Sequence, residues 1–146
     1  MSSTCRPELL SHWSLVIRDP PTKSKSFENL RVYRLSEDLA DCLWEVIGAW
    51  KELARDTVGK QAVRAADGIG ANLAEGYGRG TYADNRRFVR MARGSLYEVR
   101  HWLRRSFRRG LLKTNEVNQL KTIVHNLGPQ LNNYLKSIGA TKPRDQ

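Results

Sequence analysis

Six arginines, Arg86, Arg90, Arg93, Arg100, Arg104 and Arg108, follow one another at intervals of three, four or seven residues. On a helix turning ~100° per residue, these intervals bring them within about 80° of one another, with Tyr97 among them. The stripe would run about 33 Å along the helix, at a mean direction roughly 110° from the apolar positions. Arg87, Arg105 and Arg109 flank it. Arginine presents a planar fork that grips phosphate or carboxylate in pairs of hydrogen bonds. Like charges at this spacing cost an isolated helix about 0.2–0.5 kcal/mol per pair, so a chain that repeats them calls for an anion to neutralise them. A nucleic-acid backbone fits, with Tyr97 placed to stack on a base. Two other anionic surfaces remain open: the acidic stripe of another subunit's first helix, and an acidic membrane. Lysine would serve a membrane equally well, so the arginine bias disfavours that option.

Other candidate chemistry is sparse. His12, His101 and His125 have no Cys, Asp or Glu at metal-ligand spacing. The run Gly76-Tyr77-Gly78-Arg79-Gly80 has the glycines of a phosphate-binding loop, but it follows a helix and lacks a Gly-Lys-Ser/Thr ending. Glu75 and Glu98 stand alone in basic surroundings and are expected to form salt bridges. Asn72 is expected to be buried and bonded to a neighbouring helix. No catalytic residue, metal ligand or cofactor site is predicted, so the chain is not expected to be an enzyme.

The elements that must carry these residues are helical throughout. Ser26 can cap a first helix, in which Val32, Leu35, Leu39, Leu43, Val46, Trp50 and Leu53 form the apolar stripe. Asp38, Asp41, Glu45, Glu52 and Asp56 follow the same spacing on another face, and Cys42 adjoins the core. A second helix is predicted from near Thr57 to Gly76, with a narrow stripe of Val58, Ala62, Ala65, Ile69 and Leu73. Gly68 and Gly70 inside it each cost up to ~1 kcal/mol relative to Ala, which the close approach of a neighbouring helix would offset. The third helix opens at Thr81, with Asp84 completing a capping pair. Phe88, Ala92, Leu96, Val99, Leu103 and Phe107 form its core stripe, and Gly110 stops it. The fourth starts at Thr114, and Pro129 predicts a kink or break near His125–Gly128. Four helices with short connections predict an all-α, antiparallel up-down-up-down four-helix bundle spanning residues 26–138. Residues 1–25, with Pro20-Pro21 and the apolar piece Trp13–Ile17, read as a tail with one docking patch, and 139–146 as a second tail.

Composition sets the frame. The 146 residues make one domain, and the net charge of +10 comes from 17 arginines and 8 lysines against 15 acidic residues. Residues 79–113 hold 11 basic and 2 acidic side chains, whereas 27–56 hold 4 basic and 7 acidic. A polyanionic partner follows from that concentration of charge. No apolar run approaches the ~18 residues of a membrane span, and the first 25 residues lack a secretory core. Two cysteines, Cys5 and Cys42, fit a reducing compartment. A cytoplasmic protein with no membrane partner is the expectation.

Residues 27–138 resemble the small four-helix-bundle proteins encoded within intervening sequences of bacterial 23S ribosomal RNA genes. The resemblance rests on Phe27-Glu28-Asn29-Leu30-Arg31-Val32-Tyr33 and, more specifically, on Asn72-Leu73-Ala74-Glu75-Gly76-Tyr77-Gly78-Arg79. Arg87-Phe88 and Ala92-Arg93-Gly94-Ser95-Leu96-Tyr97-Glu98 then follow at the family's spacing. Where the family usually shows Ser-Ile-Pro-Ser-Asn, this chain reads Gly68-Ile69-Gly70-Ala71-Asn72. The resemblance implies a ring-like homo-oligomer, most often a pentamer. It also implies structural similarity to the accessory variability determinant of diversity-generating retroelements, a basic pentamer that binds a reverse transcriptase and its template RNA.

Together these readings predict a non-enzymatic accessory protein that binds RNA or an RNA–DNA hybrid and assists a reverse transcriptase or related retroelement machinery. The six stripe arginines and Tyr97 would make the contacts, with Arg79 and Arg87 at the rim and Arg105 on the flank. The alternative is a structural homo-oligomeric scaffold whose arginines bind acidic protein partners.

Overall fold

A computed structural model describes residues 26–140, so the expected N-terminal tail with its docking patch, and nearly all of the C-terminal one, lie outside the described residues. Four long helices form where apolar residues recur at three- and four-residue steps. They are α1 (Arg31–Gly48), α2 (Lys60–Gly78), α3 (Tyr82–Arg108) and α4 (Thr114–Ser137), and no strand forms among the described residues. A single 3-10 turn, Phe27–Asn29, precedes α1. The chain enters α2 through one α-helical turn, Glu52–Ala54, and a π-helical turn, Arg55–Gly59.

One core lies among the four helices. Leu39 and Leu43 of α1, Ile69 and Leu73 of α2, Val89 and Val99 of α3, and Leu120, Leu127 and Leu131 of α4 are all sealed from solvent. Removing each such side chain from water contributes about 1.5–3 kcal/mol. α1 packs on α2 and α4, and α3 packs on the same two, so α1 and α3 sit diagonally with no close approach of their backbones. Cys42 is buried, as its place beside the stripe predicts.

The boundaries of α1 differ from the prediction at both ends. Ser26 does not cap it; its hydroxyl donates to Glu28 Oε2 at 3.2 Å, and α1 begins at Arg31 after an extended Leu30. At the other end α1 stops at Gly48 rather than running through Leu53. Val46, Trp50 and Leu53 keep helical spacing, but the chain turns between Ala49 and Lys51, whose ψ of 152° is extended. Trp50 folds back against the core while Leu53 is left 79% exposed. Glu52 and Asp56 therefore leave the acidic face of α1.

The glycines of α2 meet their expected purpose. A Cβ on Gly68 would lie 3.3 Å from Ser95 Oγ of α3, and one on Gly70 would lie 3.1 Å from Ser36 Oγ of α1. Gly76 does not end the helix as predicted. It is buried inside it, where a Cβ would come within 2.7 Å of Phe88 Cβ. The helix ends two residues later, and Gly80 turns the chain with a φ of +82°. Asn72 does not reach a neighbouring helix; its Nδ2 donates to the Gly68 carbonyl of its own at 2.7 Å.

α3 opens as predicted, the Thr81 hydroxyl accepting from the Asp84 N–H at 3.1 Å. Near its end Phe107 is 63% exposed instead of packed. The inward place at that turn is filled by Ser106, which is buried with its hydroxyl donating to the Trp102 carbonyl at 2.8 Å. α4 passes through Pro129 without a break. The bond that proline removes belongs to the His125 carbonyl, and His125 and Pro129 both lie on the exposed side, where water can take its place. No helix among the described residues is long and apolar enough to cross a membrane.

Candidate nucleic-acid interface

The capped start of α3 and its stripe of buried residues set the rotation of the helix, and with it the direction of every arginine. The arginines do not all end in the same environment. Arg86 is half-buried, and its Nη1 donates to the Ile138 carbonyl at 2.6 Å, which closes the C-terminal end of α4. That end carries the negative pole of the helix, so a guanidinium is favoured there. Arg93 Nη1 donates to Asn132 Oδ1 of α4 at 3.3 Å. Beside them Asn85 Nδ2 donates to the Tyr134 hydroxyl at 3.3 Å. Three residues on this side of α3 thus tie it to α4.

Arg90, Arg100, Arg104 and Arg108 remain exposed, and no carboxylate lies within ion-pair distance of them among the described residues. Tyr97 stands among them at 61% exposure, with the Arg100 guanidinium 5.1 Å from its ring centre. A guanidinium over an aromatic face at such an exposed site contributes about 0.5–1 kcal/mol. Arg87 is exposed and leans over the Phe88 ring at 5.9 Å. Arg79 sits 5.2 Å over the same ring and pairs with Glu75 at 2.5 Å, so one of the two expected carboxylate pairs forms. Glu98 instead accepts from Trp102 Nε1 at 3.3 Å. Arg105 is half-buried on the flank.

The predicted stripe thus divides into an inner pair that holds α4 and an outer row that bonds to no other helix among the described residues. α4 adds polar groups beside that row. Lys121, His125 and Lys136 are exposed and share a face of α4 with Asn132, to which they are related by steps of four and seven. This second row is legible as spacing, but it is masked in the sequence by the stronger apolar heptad of the same helix.

Charge of the opposite sign collects diagonally across the molecule. Between α1 and α2 a cleft floored by Ala40, Ala66, Gly70 and Ala71 carries Glu37, Asp41 and Asp67. Burial, aided by Asp41, pushes the Asp67 carboxyl above the ordinary range, and burial with Asp41 and Asp38 does the same to Glu37. Tyr33 in the same cleft is pushed up to about 12, first by burial and then by Glu37. None of these carboxylates forms an ion pair with an outer arginine among the described residues.

Residues 28–133, 106 of the 146, match the model of a family described as 23S rRNA-intervening sequence protein. No curated protein matches the chain.

Proposed function

The chain belongs to the 23S rRNA-intervening sequence protein family, and on that footing we propose that it binds structured RNA or an RNA–DNA hybrid without acting as an enzyme. Arg90, Arg100, Arg104 and Arg108 take phosphates, Tyr97 stacks on a base, and Arg79, Arg87 and Arg105 border the track. The observation that carries this reading is the outer row itself. Four exposed guanidinium groups line one helix with no carboxylate in ion-pair reach among the described residues, around an exposed aromatic ring. Leaving so many like charges side by side costs folding energy that an external polyanion returns.

The proposed scaffold is an antiparallel up-down-up-down bundle. Its support is the order of contacts: Gly68 and Gly76 of α2 meet Ser95 and Phe88 of α3, in reverse order along the two helices. Arg86 and Arg93 likewise meet Ile138 and Asn132. In a ring-like homo-oligomer, most simply a pentamer, each copy would present its own arginine row, and modest contacts would add by avidity. The structural similarity to the accessory variability determinant of diversity-generating retroelements, which the family resemblance implies, suggests a cytoplasmic accessory of a reverse transcriptase. A scaffold that binds acidic proteins is the second reading, favoured by the carboxylate face that α1 itself offers to another copy.

Titration of labelled structured RNA across a salt series tests the assignment. The comparison is a variant with Arg90, Arg100, Arg104 and Arg108 changed to Gln, checked for equal oligomer mass. Loss of four phosphate contacts should reduce the slope of log affinity against log salt by about 3 to 4. An unchanged slope, or a parent that does not bind, ends the RNA reading. Competition by an acidic protein at equal charge, with no preference for RNA, would move the assignment to the scaffold.

A further inference from the structure

We propose that a groove at the α1–α2 turn receives Trp44 from a second copy of the chain, and that this contact is the one that repeats in the assembly. The inference rests on the self-association proposed above and supplies its interface.

The groove opens where α1 ends and α4 begins, with a volume of about 720 Å³. Val46, Trp50, Leu53, Val58 and Leu111 make its walls apolar, while Lys51, Arg109 and Lys113 contribute three cations. None of the three lies within ion-pair distance of a carboxylate among the described residues. The one carboxylate in the lining, that of Glu116, accepts the backbone N–H of Lys113 at 2.7 Å. Leu53 is 79% exposed on this surface. Apolar walls with unpaired cations suit a large apolar side chain framed by carboxylates, because such a knob excludes water at the centre while opposite charges meet at the rim.

The chain carries that knob. Trp44 is 69% exposed on α1, with Asp41 three residues before it and Glu45 directly after. It belongs to the acidic part of an otherwise basic protein, since residues 27–56 hold 7 acidic and 4 basic side chains. Trp44 cannot fill the groove of its own copy. It stands about 200° around α1 from Val46, which lines the groove, and so projects from a different side of the molecule. Knob and groove on separate faces make a heterologous contact, in which each copy gives Trp44 to one neighbour and accepts it from another.

The test uses the full chain and two variants, Trp44→Ala, which lacks the knob, and Leu53→Asp, which spoils the groove. Both positions are exposed, so helical content by circular dichroism should match the parent. Light scattering after size exclusion should give an oligomer for the parent and a single-chain mass for each variant. Mixed in equal amounts, the variants should form a 1:1 dimer and stop there, because only one good knob and one good groove remain. Arg109→Glu with Lys113→Glu provides a second groove variant, should Leu53→Asp lose helicity. A monomeric parent would overturn self-association and this interface together. An oligomeric parent whose variants keep its mass, or a mixture that stays monomeric, would overturn the interface alone and leave self-association standing.

Discussion

α3 touches its two neighbours in opposite ways. Against α2 the seam is built from small residues, so that Gly68 and Gly76 let the backbone approach Ser95 and Phe88. Against α4 it is also laced by long polar side chains, with Arg86, Arg93 and Asn85 bonded to Ile138, Asn132 and Tyr134. The first seam has no room to yield, because close-packed atoms lose contact energy steeply with displacement. The second is held by directional bonds between groups that water could also satisfy. The polar seam also borders the outer arginine row, so a residue type shared by both has two different jobs. Position relative to α4 separates them.

The largest expected effect lies in the tight seam. Gly76→Ala would place a methyl 2.7 Å from Phe88 Cβ and 2.9 Å from Asn85 Oδ1. Overpacking of this kind costs about 1–3 kcal/mol, which outweighs the gain in helix propensity. Gly94→Ala, on the open side of α3, meets nothing within 4 Å and should stabilise by up to ~1 kcal/mol. Urea denaturation of the pair would show opposite shifts in midpoint. Equal shifts would remove the case for a close-packed seam.

Next comes a double dissociation between arginines. Arg86→Gln removes a charged hydrogen bond to the Ile138 carbonyl and should cost about 1–2 kcal/mol of stability. It should leave the salt slope of RNA binding unchanged. Arg90→Gln should do the reverse, leaving stability within about 0.5 kcal/mol and lowering the slope by about 0.9. If both substitutions act alike, the division of the stripe into inner and outer members is wrong.

The mildest effects belong to the acidic cleft between α1 and α2. Tyr33 titrates at about 12 in the folded chain and near 10 when unfolded, so the unfolded chain loses its proton first. Stability from this group is intact below pH ~10 and falls between about pH 10 and 12, which an alkaline melting series reads directly. Asp67 shifts in the same direction, upward through burial first and Asp41 second. Its charge therefore opposes folding at neutral pH and ceases to do so on protonation. Asp67→Asn should raise the melting temperature at pH 7, with a smaller gain below the ordinary carboxylate range. A gain that does not depend on pH would point to packing instead.

The sequence was most informative where local chemistry and burial agree. Thr81 with Asp84 marks the start of α3 because a side-chain cap needs only three residues to form. Apolar spacing likewise locates the buried faces of Leu39 and Leu43, or of Leu120, Leu127 and Leu131. It fails where periodicity persists without burial. Leu53 and Phe107 keep the spacing of a core, yet each falls where the chain bends away or where a smaller residue takes the inward place. The arginine stripe was visible as a set of angles on one helix. Its division was not, because the bonds of Arg86 and Arg93 run to residues 52 and 39 positions away. Gly76 was misread for a related reason. Glycine marks both helix ends and tight crossings, and only the neighbouring helix distinguishes them.

The π-helical turn at Arg55–Gly59 bears on how this chain tolerates changes in length. A π turn holds one residue more than the α turn it replaces, so it stores an insertion inside a helix. Upstream lie only the short helical turn Glu52–Ala54, whose Glu52 and Leu53 are exposed, and the turn that ends α1, whereas downstream Gly68, Gly70 and Gly76 must stay in phase with their crossings. Removing one residue from this turn would let it relax to α geometry while the glycines keep their facing. The same deletion a few residues later would rotate part of α2 by about 100° and turn its small face away from α1 and α3.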